Sequence, residues 1–458
     1  MNVIQEPNSF ILNRFGNYFK YSNDARYRLQ KYIILSKGEN GRPLVYNCLT
    51  KELVELTDGD NLFSEYFLKH LFIVPTAFRE DMLAMMIRNV LESQLKRKII
   101  PLGYTILTTT ACNARCFYCY EKNDPKKPMS EKTALDVAEF IARNYNKIKE
   151  NNEGSVQDVA LAWFGGEPLF RKKCINIICE RLKELGVPYR SSMISNGYLF
   201  DEKTVNEAKN LWGLKNVQIT IDGTKDVYNK TKSFIYKNDN PFETIMGNIK
   251  RLSENRIFVT IRINVGKFNA EDAEKLICEI ADRFSGNKFI KVYLHSLFDE
   301  FNSDIKTEDD DRYVFEKIEG LENLIEEKGL RSTMSPLSNS CKSSHCMADS
   351  GRHLCILTDG RLTLCEHYTN SNVIGTIYDF PNNVDWELVD RYKKVLPPYD
   401  RCYGCPLITD CSILKICADN DRSCTSARQR YKINRKTKEI EGAYKKWKKS
   451  AENNKSEE

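Results

Sequence analysis

Three cysteines stand within eight residues of the run TACNARCFYCYE, at Cys112, Cys116 and Cys119. Their C-x3-C-x2-C spacing constrains this chain more than any other feature. Iron prefers soft sulfur ligands, and three thiolates in so tight a loop fit three corners of an iron-sulfur cubane. The fourth iron is then left open for a small molecule to coordinate. A structural zinc site asks for four ligands, and neither His nor a further Cys occurs between Cys119 and Cys174. Three buried thiols without metal are the remaining alternative.

The other cysteines sharpen this picture. The chain has 16 in all, nine of them between Cys341 and Cys424, while Cys48, Cys174, Cys179 and Cys278 stand alone. The start, MNVIQEPNSF, lacks a basic stretch followed by an apolar one, so a cytoplasmic location is expected, where disulfides do not persist and clustered cysteines read as metal ligands. No apolar run reaches membrane-spanning length, and 41% hydrophobic with 29% charged residues excludes a disordered or fibrous chain. The net charge of +6 resides wholly in residues 428–458, with 11 Lys and Arg against 5 Asp and Glu. A solvated basic helix accounts for it, and no nucleic-acid or membrane partner is expected.

Pattern divides the 458 residues into five parts. Residues 1–98 read as a small α+β module: strands KYIILSK and RPLVYNCLT flank a GENG turn, two or three strands in all, and a mostly helical stretch follows from about Asn61. It carries no acid, base or metal constellation, which suits binding rather than catalysis. Residues 99–300 alternate six apolar runs (YTILTTT, VALAWF, SSMIS, NVQITI, FVTIRIN, FIKVYL) with amphipathic helices. That alternation predicts a parallel α/β sheet with functional residues at the carboxyl ends of its strands, and six units make an open, partial (β/α)6 barrel. An acidic helical linker (301–334), a turn-rich cysteine segment (335–428) expected to fold around metal rather than an apolar core, and a basic helical tail (429–458) complete the chain.

The cysteine loop after the first barrel strand resembles that of the radical S-adenosylmethionine (SAM) superfamily. The resemblance implies a [4Fe-4S] cluster on Cys112, Cys116 and Cys119, with SAM chelating the open iron and yielding, on reduction, a 5'-deoxyadenosyl radical. It also implies SAM contacts at further strand ends: Gly165, Gly166 and Glu167 in WFGGEP, Ser195 and Asn196 after the third strand, Thr220 and Asp222 after the fourth, and Asn264 after the fifth. Tyr118 matches the aromatic that the family places near the adenine. Thr220 and Lys232 replace the family's Ser and, twelve residues on, its Arg.

The later cysteines resemble the SPASM domain of radical SAM enzymes, which binds two auxiliary [4Fe-4S] clusters. Cys346, Gly360 and Cys365 give C-x13-G-x4-C, and Cys402, Cys405, Cys411, Cys417 and Cys424 give C-x2-C-x5-C-x5-C-x6-C. The family's C-x3-C step would fall on Lys415, so Cys417 is taken with a two-residue insertion. The resemblance then implies one auxiliary cluster on Cys341, Cys346, Cys365 and Cys417, and a second on Cys402, Cys405, Cys411 and Cys424. Cys355 competes with Cys341, and two four-cysteine zinc sites are the alternative. His345, His353 and His367 read as surface groups or as neighbours of a ligand.

The N-terminal module looks like the winged-helix-like leader-binding module of ribosomal-peptide maturases, which takes a precursor's leader as an added strand. The resemblance as a whole implies a maturase that forms a thioether or a carbon-carbon crosslink in a precursor peptide, supplied with electrons by a flavodoxin or ferredoxin. A formylglycine-generating sulfatase maturase is the alternative; such enzymes place an Asp base just after the hairpin cysteine, where this chain departs from the pattern with Glu366 as the candidate catalytic base. A non-catalytic redox scaffold would need none of the strand-end motifs.

Overall fold

A computed structural model of the chain describes all residues except 95–98, 123–124, 152–156, 237–239, 298–306, 333–335, 342–345, 368–371, 395–397, 412–423 and 457–458. His345, Cys417 and the insertion assigned beside it lie outside the described residues. No helix among the described residues is long and apolar enough to cross a membrane.

The N-terminal module begins with β1 (Asn2–Gln5), α1 (Ser9–Phe15), β2 (Tyr27–Leu29), β3 (Ile33–Lys37), β4 (Pro43–Asn47) and β5 (Leu53–Glu55), followed by α2 (Glu65–Lys69), β6 (Ile73–Pro75) and α3 (Glu80–Ser93). Strands β1, β5, β4 and β3 form an antiparallel sheet in that order, and β2 pairs with β6. The expected β3–β4 hairpin turns through Gly41 at φ 72°, a left-handed conformation that glycine adopts freely. The module nonetheless holds more strands than the expected two or three. The unforeseen ones are three or four residues long, too short to display an alternating pattern, and β6 interrupts the stretch that reads as helical.

All six apolar runs of the central region become strands of one parallel sheet: β7 (Gly103–Thr109), β8 (Val159–Gly165), β9 (Tyr189–Ser195), β10 (Leu214–Thr220), β11 (Phe258–Val265) and β12 (Ile290–Ser296). Their crossovers run through α4 (Glu131–Asn151), α5 (Lys172–Glu184), α6 (Glu202–Asn210), α7 (Lys225–Lys232), α8 (Pro241–Glu254) and α9 (Ala270–Phe284). The helices pack because their apolar residues recur at helical spacing: α8 buries Phe242, Ile245, Met246 and Ile249. Trp163 and Trp212 are fully buried in the same core. Only α7, short and polar as KDVYNKTK, has no signal in the pattern.

Beyond α10 (Glu308–Glu327) the cysteine segment forms β13 (His353–Ile356), β14 (Arg361–Thr363), β15 (Gly375–Thr376) and α11 (Trp386–Lys393). It does not dispense with an apolar core. Strand β13 pairs parallel to β7, so the hairpin extends the barrel sheet to nine strands, and Leu354, Ile356, Leu362 and Leu364 join the barrel core. The seam is tight: a Cβ on Gly103 would lie 2.5 Å from the His353 ring. His353 is therefore no surface histidine; its ring makes a 2.8 Å hydrogen bond with Thr105 of β7.

The last helix, α12 (Ser426–Ser456), is not a solvated tail either. Its first half lies on acidic α10, with Arg428 beside Asp311, Tyr431 donating to Glu322 at 2.8 Å and Asn434 to Glu319 at 2.8 Å. Further on, Ser36 of β3 donates to Glu441 at 2.7 Å, and Ile440 and Tyr444 are buried in the N-terminal core. Acidic α10 thus takes up part of the basic charge that the composition leaves at this end.

Candidate active site at the strand ends

Parallel pairing brings the carboxyl ends of β7 to β11 to one side of the sheet, and the residues singled out there converge. The cysteine loop leaves β7 at Thr109 and is tied down on both flanks. Gly166 N–H donates to Thr109 at 3.0 Å and Glu167 N–H to Ala111 at 2.9 Å, while Arg115 N–H donates to Lys232 at 2.7 Å. The Gly-Gly pair is required by this contact. Gly165 has φ 125°, and a Cβ there would lie 2.1 Å from the Thr109 oxygen; one on Gly166 would lie 2.5 Å from that of Ala111. The glycines make room for the cysteine loop itself.

Glu167 is fully buried. Its carboxylate accepts from Ser195 Oγ at 3.0 Å, Asn196 N–H at 2.9 Å and Leu169 N–H at 3.2 Å. Burial pushes its pKa up to about 7 against the pull of these donors. Ser195 and Asn196 thus bind Glu167, and Asn196 also reaches the loop, donating to Asn113 Oδ1 at 2.6 Å and to Cys112 Sγ at 3.8 Å. Asn113 is a residue that sequence reasoning passed over, a lone Asn between two cysteines. Its Nδ2 is buried with no hydrogen-bond partner among the described residues.

A second group closes the other side. Asp222 and Lys232, both buried, lie 2.9 Å apart, and Lys232 donates to the Tyr118 hydroxyl at 2.6 Å while sitting 5.2 Å from its ring centre. Tyr118 also donates to Asp222, which accepts from Asn264 N–H at 3.0 Å, and Asn264 Nδ2 donates to Tyr118 at 3.3 Å. Burial alone would lower the Lys232 pKa, but Asp222 together with Cys116, Tyr118 and Tyr228 outweighs it and holds the ammonium charged, well above its usual value. Asn269, also unforeseen, fixes this corner by donating to the backbone oxygens of Asp222 and Asn264 at 2.6 and 2.8 Å. Thr220 lies at the end of β10, half-buried.

Burial is the main cause that pushes Cys112 up to about 12 and Cys119 up to about 11, and the neighbouring Cys116 adds to both. No group of three or more His, Cys, Asp or Glu side chains among the described residues is placed to hold a metal ion. A cubane spaces its thiolates more widely than a single ion does, and the donors suit one: three soft sulfurs, with N–H groups of Ala114 and Asn196 directed at Cys112 Sγ, bonds of the kind that tune cluster potentials.

The later cysteines fall into two neighbourhoods. Cys402, Cys405 and Cys411 each raise the Cys424 thiol after burial, so these four lie close together. Cys341 packs against the N-terminal core, whereas Cys365 packs against the barrel core, and Cys346 is exposed. Cys355 is buried on β13 beside Cys365 and Glu366. Glu366 faces Tyr120 of the cysteine loop, whose hydroxyl is pushed well up, first by burial and then by Glu121, Glu366, Cys119 and Cys365; Glu366 Oε2 is buried with no hydrogen-bond partner among the described residues. The ring of His367 lies 4.1 Å from that of Tyr120.

Comparison with known proteins agrees with this geometry. Residues 106–280 match the model of the Radical SAM superfamily. The chain carries a radical SAM domain, and the cysteine loop lies within it. The sporulation killing factor maturation protein SkfB of Bacillus subtilis is 26% identical over 191 residues, a match spanning 40% of each chain. The GTP 3',8-cyclase of Clostridium perfringens is 25% identical over 276 residues, 57% of this chain and 80% of that one. Among solved structures, native anSMEcpe with bound AdoMet covers 77% of this chain and 100% of its own at TM-score 0.56 and 16% identity. Streptococcus suis SuiB bound to precursor peptide SuiA covers 88% and 100% at TM-score 0.50 and 13% identity. These two share the fold.

Proposed function

We propose that the chain is a radical SAM enzyme that modifies a ribosomally made precursor peptide, introducing a thioether or a carbon-carbon crosslink. The observation that carries this reading is the pairing, in one chain, of a radical SAM domain with an N-terminal sheet whose outer strand β3 has no further strand beside it among the described residues. Strand β3 pairs only with β4 among the described residues, and Leu35 on it is 60% exposed. An extended leader adds to such an edge through main-chain hydrogen bonds, with an exposed apolar side chain to grip. Two comparisons point the same way: SkfB is named a maturation protein, and SuiB is described with its precursor peptide bound.

Cys112, Cys116 and Cys119 would hold the [4Fe-4S] cluster, with SAM on its open iron. When bound, this pair supplies a 5'-deoxyadenosyl radical able to remove a hydrogen atom from the peptide. The protein's own part is to hold and to exclude water. Glu167, fixed by Ser195 and Asn196, offers a carboxylate at the end of β8 for the amino group of SAM. The Tyr118, Asp222, Lys232 and Asn264 network fixes the loop's other flank, and Gly165 and Gly166 let the loop lie against β8. The Cys402, Cys405, Cys411 and Cys424 group would hold an auxiliary cluster, with Cys341, Cys346, Cys365 and Cys417 as the candidate ligands of a second and Cys355 as a competitor. A flavodoxin or ferredoxin would supply the electrons.

Anaerobic incubation with SAM and a reductant should yield 5'-deoxyadenosine, and Cys116→Ala should abolish it. With a Cys-containing precursor the product should lack two hydrogens. Leu35→Glu should weaken peptide binding and leave SAM cleavage intact; unchanged affinity would remove the strand-addition reading. One observation favours a second reading, formylglycine formation on a sulfatase: Glu366 stands directly after Cys365, and one of its carboxylate oxygens has no hydrogen-bond partner among the described residues. Conversion of a sulfatase peptide, lost in Glu366→Gln, would establish it.

A further inference from the structure

Two buried cations of the N-terminal module are aimed at one short stretch of the cysteine segment. Lys51, only 2% exposed and held at φ 65°, donates to Asp410 Oδ2 at 2.6 Å, to Cys48 O at 2.5 Å and to Thr409 Oγ1 at 3.4 Å. Arg88 of α3, 1% exposed, donates to Ile408 O at 2.5 Å and Cys411 O at 3.1 Å, and its Nε to Glu92 at 3.0 Å. Tyr32 donates to Tyr403 O at 3.0 Å. Ile408 is buried in the same core as Leu49, Ile87 and Leu91. Apart from the bonds to Cys48 O and Glu92, these hydrogen bonds all fall between Cys402 and Cys411.

Burying two cations is costly unless each meets a charge or several acceptors. Apolar side chains would hold a sheet against a turn more cheaply. Here both cations go to residues 408–411, the turn that ends on Cys411, and their counter-charges are Asp410 and Glu92. We propose that Lys51 and Arg88 are positioning residues for the auxiliary cluster on Cys402, Cys405, Cys411 and Cys424, locking the turn that presents its ligands and setting the charge around it. The proposal rests on the reading that these four cysteines hold a cluster. It makes the N-terminal module part of the redox site as well as a candidate peptide dock.

Reduction adds an electron to an anionic cluster, so a buried positive charge nearby favours the reduced state and a negative one disfavours it. The test is a redox titration, followed by electron paramagnetic resonance, of the full reconstituted chain with iron content measured alongside. Arg88→Gln should shift the auxiliary midpoint potential negative, Arg88→Lys should restore it, and Asp410→Asn should shift it positive. Unchanged potentials in Arg88→Gln and Asp410→Asn at full iron content would overturn the proposal. Should Arg88→Gln bind less iron, hydrogen exchange on the metal-free chain decides. Faster exchange confined to residues 402–411 supports the proposal, and exchange raised throughout the N-terminal module overturns it. A wild-type iron content that does not fall when all four cysteines become alanine would instead defeat the cluster reading itself.

Discussion

Replacing Lys232 by Met separates two roles that this lysine could play. In the family pattern its position contacts SAM, whereas here its ammonium is 2.9 Å from Asp222, 2.6 Å from the Tyr118 hydroxyl, and 4% exposed. Removing one member of a buried ion pair costs about 3–5 kcal/mol, because the other charge stays buried without its partner. Asp222 keeps the Asn264 N–H and the Tyr118 hydroxyl, so Lys232→Met falls near the lower end, about 3 kcal/mol. At roughly 2–4 °C per kcal/mol, that lowers Tm by about 6–12 °C. Asp222→Asn should cost a similar amount, and the double variant should cost clearly less than the two together, because no lone charge remains. Thermal unfolding of the four proteins, with SAM affinity measured on each, supplies the cycle. A stability recovered in the double variant together with recovered SAM affinity makes Lys232 a brace for the loop; stability recovered without affinity makes it a ligand contact. Single variants within about 1 kcal/mol of wild type, adding without interaction, would refute the buried pair as the unit that holds this flank.

Burial pushes His353 down to about 4 from its ordinary 6.5, so the neutral ring is the form that the fold accepts. Its contribution is complete above about pH 6.5 and drains as pH falls toward 4, amounting to about 2 kcal/mol between pH 7.5 and 5. The stability difference between wild type and His353→Gln in the metal-free chain should shrink accordingly, and a constant difference would be wrong for this account. Gly166→Ala places a methyl 2.5 Å from the Ala111 oxygen, so it should abolish iron uptake at the cysteine loop while the far-ultraviolet spectrum stays close to wild type. Ile440→Ala opens a cavity between α12 and the N-terminal core and should cost about 2–5 kcal/mol, read as a lower melting transition.

Long periodic segments were legible and short ones were not. The six barrel strands run seven or eight residues and show their apolar character plainly, while β1, β5 and β6 offer three or four residues each. The cysteine loop and the strand-end acids could be named because their chemistry is unusual at that spacing. What they touch could not be read, since Glu167 meeting Ser195, or Lys232 meeting Asp222, depends on strand order and on which way a turn faces. The basic end misled for a related reason: charge composition marks a helix as solvated unless its partner is known, and that partner, acidic α10, lies more than a hundred residues earlier.

Joined by these contacts, the parts of the chain do not separate cleanly, and this bears on how peptide binding can be tested. The hairpin strand β13 continues the barrel sheet from β7, the turn between Cys402 and Cys411 is seated on Lys51 and Arg88, and α12 runs from α10 to β3. Removing residues 1–98 would therefore take away the proposed peptide dock and also the side chains that seat the turn between Cys402 and Cys411, stripping Ile440 and Tyr444 of their core at the same time. A loss of activity after that deletion cannot be credited to leader binding. Leu35, exposed on the free edge of the sheet, can be changed with little consequence for the core. Edge-strand substitutions of that kind, and not truncation, isolate the peptide contact from the integrity of the cysteine segment.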